Sequence, residues 1–332
     1  MGPDAKGPEK DTAQTEPYNL RIAEGTAPPM CLGYEGVNKL VLKWVDKNLK
    51  YIFTLPTVIF VLAMIVFPLV YTFRLSFYEW SMSNNVPMKW VGLDNYIRLF
   101  SDERFIAAVA RTFVFSGGAL IFEILIGVTL ALFLNRDFRG KSVVKTMFLL
   151  PMVATPVAIG LVWTLIYEPT IGIANLLLMK LGLAPLVWLG SENTALMSLV
   201  LVDVWQWTPM IMLITLAGIT AIPEEPFESA KVDGATKWQT LWKVTLPLLR
   251  PTILVAVLLR LIDVLKTFDI IYATTQGGPG FSTETMNILA FRDAFEYFQL
   301  GQASATLVIF FAIVLSIAVL FINIKKKVEV DY

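Results

Sequence analysis

Four charged residues lie well inside one apolar run. Between residues 249 and 273, Arg260, Asp263, Lys266 and Asp269 recur at steps of three. Ionisable side chains within an apolar segment of membrane length are costly, and they mark solute pathways or internal ion pairs. On a continuous helix Arg260, Asp263, Val264 and Thr267 share one face, while Lys266 and Asp269 point elsewhere. Arg260 stands about 15 Å along a helix from Arg250, roughly half the hydrocarbon thickness of a bilayer. Such a face can exchange hydrogen bonds with a polar solute near the midplane. Equally, Arg260 and Asp263 can pair with each other and only steady a bundle; both readings stay open. A second cluster, "DVWQWTPMIML" at 203–213, combines aromatic rings with an amide. Rings suit the C–H faces of sugars and amides suit hydroxyls. Glu123 and Asp203 either line the same path or bond between helices, whereas Trp163 and Trp205 read as packing residues.

Other chemistries are closed off. The chain has no His, which removes His-based triads, His-dependent zinc sites and His proton shuttles. The single Cys31 can form neither an intrachain disulfide nor a cysteine metal cluster, and it reads as an ordinary free thiol. "GKS" at 140–142 matches the end of a phosphate-binding loop, but Asn135 stands where that pattern needs Gly, and an apolar helix precedes it instead of a strand. The formal charge is zero, so nothing suggests nucleic acid.

The elements that must hold these groups are membrane helices. Of 332 residues, 56% are hydrophobic and only 16% charged, against about 25% charged in an ordinary soluble domain. Six apolar runs, near 51–73, 109–134, 147–168, 196–222, 249–273 and 303–324, are long enough to span a bilayer. Lipid offers no partners to an open backbone, so the expected class is all-α, a polytopic membrane protein with six transmembrane helices. Residues 1–50 read as a mostly disordered cytoplasmic tail: 1–38 are rich in Pro, Gly, Glu and Lys and contain no apolar core for a cleavable signal. Residues 51–324 form the membrane domain and 325–332 a cytoplasmic C-terminal tail. Lys and Arg are concentrated at 39–50, 136–145, 231–250 and 325–327, which outweigh the opposite side about two to one and put both termini in the cytoplasm.

One cytoplasmic segment, 223–247, is polar: "ESAKVDGATKWQTLWKVTLP" fills most of it. Pro223 and Glu224, Glu225 and Glu228 suit a helix N-terminus. Asp233-Gly234 permits a sharp turn with Gly at positive φ, and Thr236 can cap a second helix carrying Trp238, Leu241, Trp242 and Thr245. Pro247 is expected to end that helix before the fifth span. An amphipathic surface helix would look similar, but the small residues at the turn let another surface approach closely.

The spacing of Glu228, Ala230 and Gly234, then nine residues, then Val244, Leu246 and Pro247, resembles the EAA loop of ABC-importer permeases. Ser229 replaces the second-position Ala and Val244 replaces Ile. "VGLDNYIRLFSDERF", "LNRDFRGKSVVKTMFLLP", "FDIIYATTQGGPGFSTET" and "GQASA" narrow the resemblance, over about residues 50–324, to maltose-type sugar permeases. The external loops are short, like those of compact six-span members. The resemblance implies that Glu228, Ser229, Ala230, Asp233, Gly234 and Ala235 form a coupling helix that docks on a cytoplasmic ATPase. It also implies sugar contacts at Gln206, Trp207 and Met210, and at Arg260, Asp263, Val264 and Thr267, the last four matching the face derived above. The implied assembly pairs this chain with a second permease, two copies of an ATPase that bind ATP and Mg, and an extracellular or periplasmic solute-binding protein. Beyond the sugar and membrane lipid, no cofactor is expected in this chain. The alternatives are an ABC permease for an amino acid or phosphate, against which the Gly277-Gly278-Pro279 loop argues, and a self-powered transporter or membrane enzyme, against which the EAA spacing argues.

Overall fold

The computed structural model describes the backbone at residues 32–82 and 87–330, with side chains at 43–82 and 87–327. The chain divides at residues 65 and 66 into two units. The first unit contains most of helix α1 (Leu32–Leu75). The boundary expected at residue 50 falls inside this helix, because Leu40, Val41, Trp44 and Val45 already recur at helical spacing; residues 1–31 of the expected tail lie outside the described residues.

In the second unit, β1 (Tyr78–Glu79) pairs antiparallel with β2 (Lys89–Trp90). There follow α2 (Asp94–Ser101), α3 (Glu103–Leu134), α4 (Lys141–Val153), α5 (Pro156–Ile166), α6 (Ile173–Lys180) and α7 (Ala195–Ala221). Next come α8 (Glu225–Val232), α9 (Lys237–Thr240), a π turn (Leu241–Thr245) and α10 (Leu246–Leu265). The chain closes with α11 (Asp269–Thr274), α12 (Met286–Phe295) and α13 (Leu300–Val330).

Among the described residues, four helices are long and apolar enough to cross a membrane: α1 from Lys43, α3, α7, and α13 as far as Lys327. A fifth span arises if α4 and α5 are taken together, but they meet at 100°. The run at 147–168 is therefore broken rather than straight. Pro156 forces the preceding residue away from helical geometry, and Thr155 is accordingly extended, at φ −67° and ψ 142°. The run at 249–273 also divides. Its first part, α10, carries Arg250, Arg260 and Asp263 and is too charged to count as a span by composition alone. It ends at Leu265, and α11 starts afresh at Asp269.

Close approach of α3, α7 and α10 holds the centre of this unit. A Cβ on Gly127 would stand 2.8 Å from Ile211, and one on Gly218 would stand 2.6 Å from Thr252. Leu134, Met212, Ile219 and Leu249 are buried along the same seam. In lipid, apolar contact between helices gains little transfer energy, so small residues and tight packing carry such interfaces.

Candidate functional site

These glycine contacts bring three helices together around one guanidinium. Arg260, on α10, is fully buried. Its Nε and Nη2 donate to the two carboxylate oxygens of Glu123 on α3, at 2.8 and 2.9 Å. Nη2 also donates to Asp203 on α7, and Nη1 to Asp263, one turn along α10, at 3.3 Å. The planar fork of Arg suits such divided pairing, which a point-charge Lys could not reproduce. The Trp207 ring centroid lies 5.0 Å from the guanidinium carbon, within cation–π range.

Beside this cluster is a cavity of about 170 Å³. Trp207, Arg260, Asp263 and Thr267 line it, so four of the seven expected sugar-contact residues come together. The other three do not line it. Val264 is buried in the core. Gln206 is buried and donates its Nε2 hydrogen to the carbonyl of Ala154, at 3.2 Å. Met210 is half-buried on α7.

Lys266 and Asp269 depart from expectation in the other direction and do line the cavity. Their expected direction holds only for a continuous helix, whereas α10 closes at Leu265 and the chain turns before α11. Asp203 both bonds to Arg260 and lines the cavity, whereas Glu123 only bonds. Asp203 was legible, because it sits one turn before Trp207 on the same helical face. Pro156, Phe268 and Ile270 complete the wall and carry no sequence signal for that role.

A larger apolar groove of about 770 Å³ opens at the α4–α5 bend, lined by Met147, Phe148, Pro151 and Trp205 among others. It lacks the convergent polar groups that orient a hydroxylated solute. Among the described residues no cluster of His, Cys, Asp and Glu is arranged for a metal.

The polar hairpin is fully formed. Helix α8 ends in a Schellman arrangement: the Ala235 N–H donates to the Ala230 carbonyl at 2.9 Å and the Gly234 N–H to that of Lys231 at 3.2 Å. Gly234 takes φ +71°, which the expected turn required. Thr236 then caps α9 in a reciprocal box with Gln239, at 2.8 and 3.3 Å. Glu228, Ser229, Asp233 and Gly234 are exposed, Ala235 is half-buried, and Ala230 is buried. Pro247 does not end the helix. The wider π turn at 241–245 leads straight into α10, with Pro247 in its first turn, where a missing N–H is tolerated.

A third constellation surrounds the Gly-Gly-Pro loop. Gly277 and Gly280 have φ +90° and +53°, and the Gly278–Pro279 bond is cis. The buried Glu284 accepts from Arg104 at 2.7 and 2.5 Å and from Arg292 at 3.3 Å. Phe281 lies under both guanidinium groups, at 4.4 and 5.2 Å. Burial, opposed by Arg104 and reinforced by Glu284 and Asp102, pushes the nearby Asp293 carboxyl up to about 6.

Residues 123–328 match the family described as "Binding-protein-dependent transport system inner membrane component". The chain belongs to that family. As a member it is a multi-pass permease component of an ABC transport system, and ATP hydrolysis belongs to a separate subunit. This permease is 36% identical to the trehalose/maltose transport system permease protein of Thermococcus litoralis, over 86% of this chain and 96% of the relative. It is 30% identical to the sulfoquinovosyl glycerol transport system permease protein of Agrobacterium fabrum, over 85% and 91%. Among solved structures it resembles a chain of a bacterial alginate ABC transporter in complex with an alginate pentasaccharide-bound periplasmic protein. That match has a TM-score of 0.75 and 25% identity, and it covers 86% of this chain and 97% of that one.

Proposed function

We propose that this permease is one half of the translocation path of an ATP-driven importer for a sugar, oligosaccharide or sugar derivative. The observation that carries the reading is the polar cavity where α7 and α10 meet, walled by Asp203, Trp207, Asp263 and Thr267. The carbohydrate names of the relatives support the solute class. Trp207 stacks on a sugar ring, while Asp263 and Thr267 exchange hydrogen bonds with hydroxyls. Arg260 is an internal organiser, because its donors are already engaged by carboxylates. At about 170 Å³ the cavity is smaller than the roughly 300–1,000 Å³ of typical ligand pockets, which suits a site completed by a second permease subunit.

In this reading α10 with α11 is a further span, giving six with the α4–α5 pair, and both termini are cytoplasmic. A solute-binding protein docks on the side of the Gly-Gly-Pro loop; the alginate transporter's complex with a periplasmic protein supports such a partner. Two copies of an ATPase, holding ATP and Mg, act on the hairpin at 223–247, and the cavity alternates between the two sides of the membrane. The test is uptake by the reconstituted transporter at limiting sugar. Thr267→Val keeps shape and loses one hydroxyl, worth about 0.5–1.5 kcal/mol, so uptake falls severalfold with the binding protein's own affinity unchanged. Wild-type uptake by both Thr267→Val and Trp207→Ala would show that this polar face is structural. Orientation is read separately: in a Cys31→Ser background, Asn193→Cys reacts with an impermeant maleimide from outside, and Asp137→Cys only after permeabilisation.

A further inference from the structure

A groove of about 1100 Å³ runs between the outer face of α3 and the hairpin; of the residues expected to meet the sugar or the ATPase, only Ala235 lines it. One wall is apolar: Leu125, Val128 and Leu132 follow each other down α3. The opposite wall carries Trp238 and Trp242, exposed at 68% and 56%, with ring centroids 5.7 Å apart. At the end beside the hairpin stand Arg136, Lys231 and Lys237, all exposed. None of these three has an ion-pair or hydrogen-bond partner for its side chain among the described residues. Among the described residues no carboxylate lines the groove, although Asp137 and the hairpin acids are close in sequence.

An apolar channel with paired Trp at its mouth and three free cations at its rim has the polarity of one lipid molecule. Trp settles at the headgroup level of a bilayer. Juxtamembrane Lys and Arg each favour an anionic leaflet surface by about 1 kcal/mol, which is about fivefold. A zwitterionic headgroup brings its own cation beside its phosphate and so no net charge, whereas an acidic headgroup brings a net negative charge to these three cations.

We propose that this groove seats one acidic glycerophospholipid of the cytoplasmic leaflet, its phosphate against Arg136, Lys231 and Lys237 and its acyl chain along α3. The leaflet, though not the lipid, rests on the orientation proposed above. Because Lys231 and Lys237 flank the turn at Gly234, the lipid joins the hairpin to α3 and sets the hairpin's height at the membrane surface.

The experiment uses the full chain purified with its co-expressed partner subunits in neutral detergent. It is titrated with phosphatidylglycerol or phosphatidylcholine, and bound lipid is counted by native mass spectrometry. Wild type retains phosphatidylglycerol at least 10-fold better than phosphatidylcholine. Arg136→Gln/Lys231→Gln/Lys237→Gln loses most of that preference, whose ceiling for three cations is on the order of 100-fold. Arg136→Gln alone, outside the hairpin, loses about fivefold and guards against misfolding of the triple variant. Equal retention of the two lipids by wild type, or undiminished preference in both variants, would overturn the proposal. So would a disulfide cross-link from Leu132→Cys to the second permease subunit, which would mean that a protein helix fills the groove. Labelling of Asp137→Cys from outside, with lipid preference intact, would overturn the orientation and move the same site to the other leaflet.

Discussion

Arg260→Met replaces the buried guanidinium by an apolar chain of similar reach. Two carboxylates with almost no exposure, Glu123 and Asp203, then lose their shared cation. Leaving one partner of a buried pair uncompensated costs about 3–5 kcal/mol, and two orphans place this variant at the upper end. Asp263 adds little, because its side chain is 48% exposed and solvent screens it. The expected loss is therefore about 5 kcal/mol, or between three and four decades in the folded-to-unfolded ratio. Glu123→Gln alone is milder, since Arg260 keeps Asp203. In the double variant one of the two orphaned charges is already gone, so its cost falls short of the sum of the singles by about 0.5–3 kcal/mol. The assay is reversible unfolding of the full chain in mixed micelles, followed by tryptophan fluorescence. A loss below about 1 kcal/mol for Arg260→Met, or strict additivity in the cycle, would refute the view that this cluster ties α3, α7 and α10 together.

Gly234→Val places a β-branched residue at φ +71°, where L side chains are strained; sugar-stimulated ATPase activity of the assembled transporter should collapse while membrane insertion persists, and normal stimulation would count against the coupling role. Gly218→Ala pushes a methyl to 2.6 Å from Thr252, so α7 and α10 must separate, at about 1–3 kcal/mol, measured by the same unfolding assay; an unchanged midpoint would mean the seam is slack. Asp293, held near 6 against an ordinary 3.8, is neutral in the fold over a range where the unfolded chain is ionised. The stability its protonated form allows is full below about pH 4, declines by about 3 kcal/mol as pH rises to about 6, and is level above. Asp293→Asn should abolish that segment of the stability–pH curve, and a curve identical to wild type would remove the assignment.

The apolar runs were legible because lipid allows so few backbone solutions. The hairpin was legible because its turn needs Gly234 and its second helix needs Thr236, two residues whose local chemistry is nearly independent of the rest of the fold. Arg260 and Asp263, inside α10, share a face that helical period foretells, whereas Val264 of the same face is buried in the core and Thr267 lies past the end of the helix. What failed was continuity. Nothing in "VLKTFDII" breaks a helix by propensity, yet α10 stops at Leu265, and Lys266 and Asp269 swing into the cavity. Pro247 failed in the opposite sense, because a π turn just ahead of it carries the helix onward. Partners from distant segments, such as Glu284 with Arg104, are invisible to any local pattern, since the two lie 180 residues apart.

The bond between Gln206 and Ala154 has a consequence for how pieces of such permeases can be exchanged. A helix broken at 100° leaves carbonyls open, and inside hydrocarbon each open group must find a donor from a neighbour. Here the donor is the buried amide of α7. A graft that imports the bent α4–α5 pair without a matching amide at position 206 would bring the break and leave its repair behind. The bend and Gln206 therefore form one heritable part, although more than fifty residues separate them, and a chimera boundary drawn between them should cost insertion or yield before it costs transport.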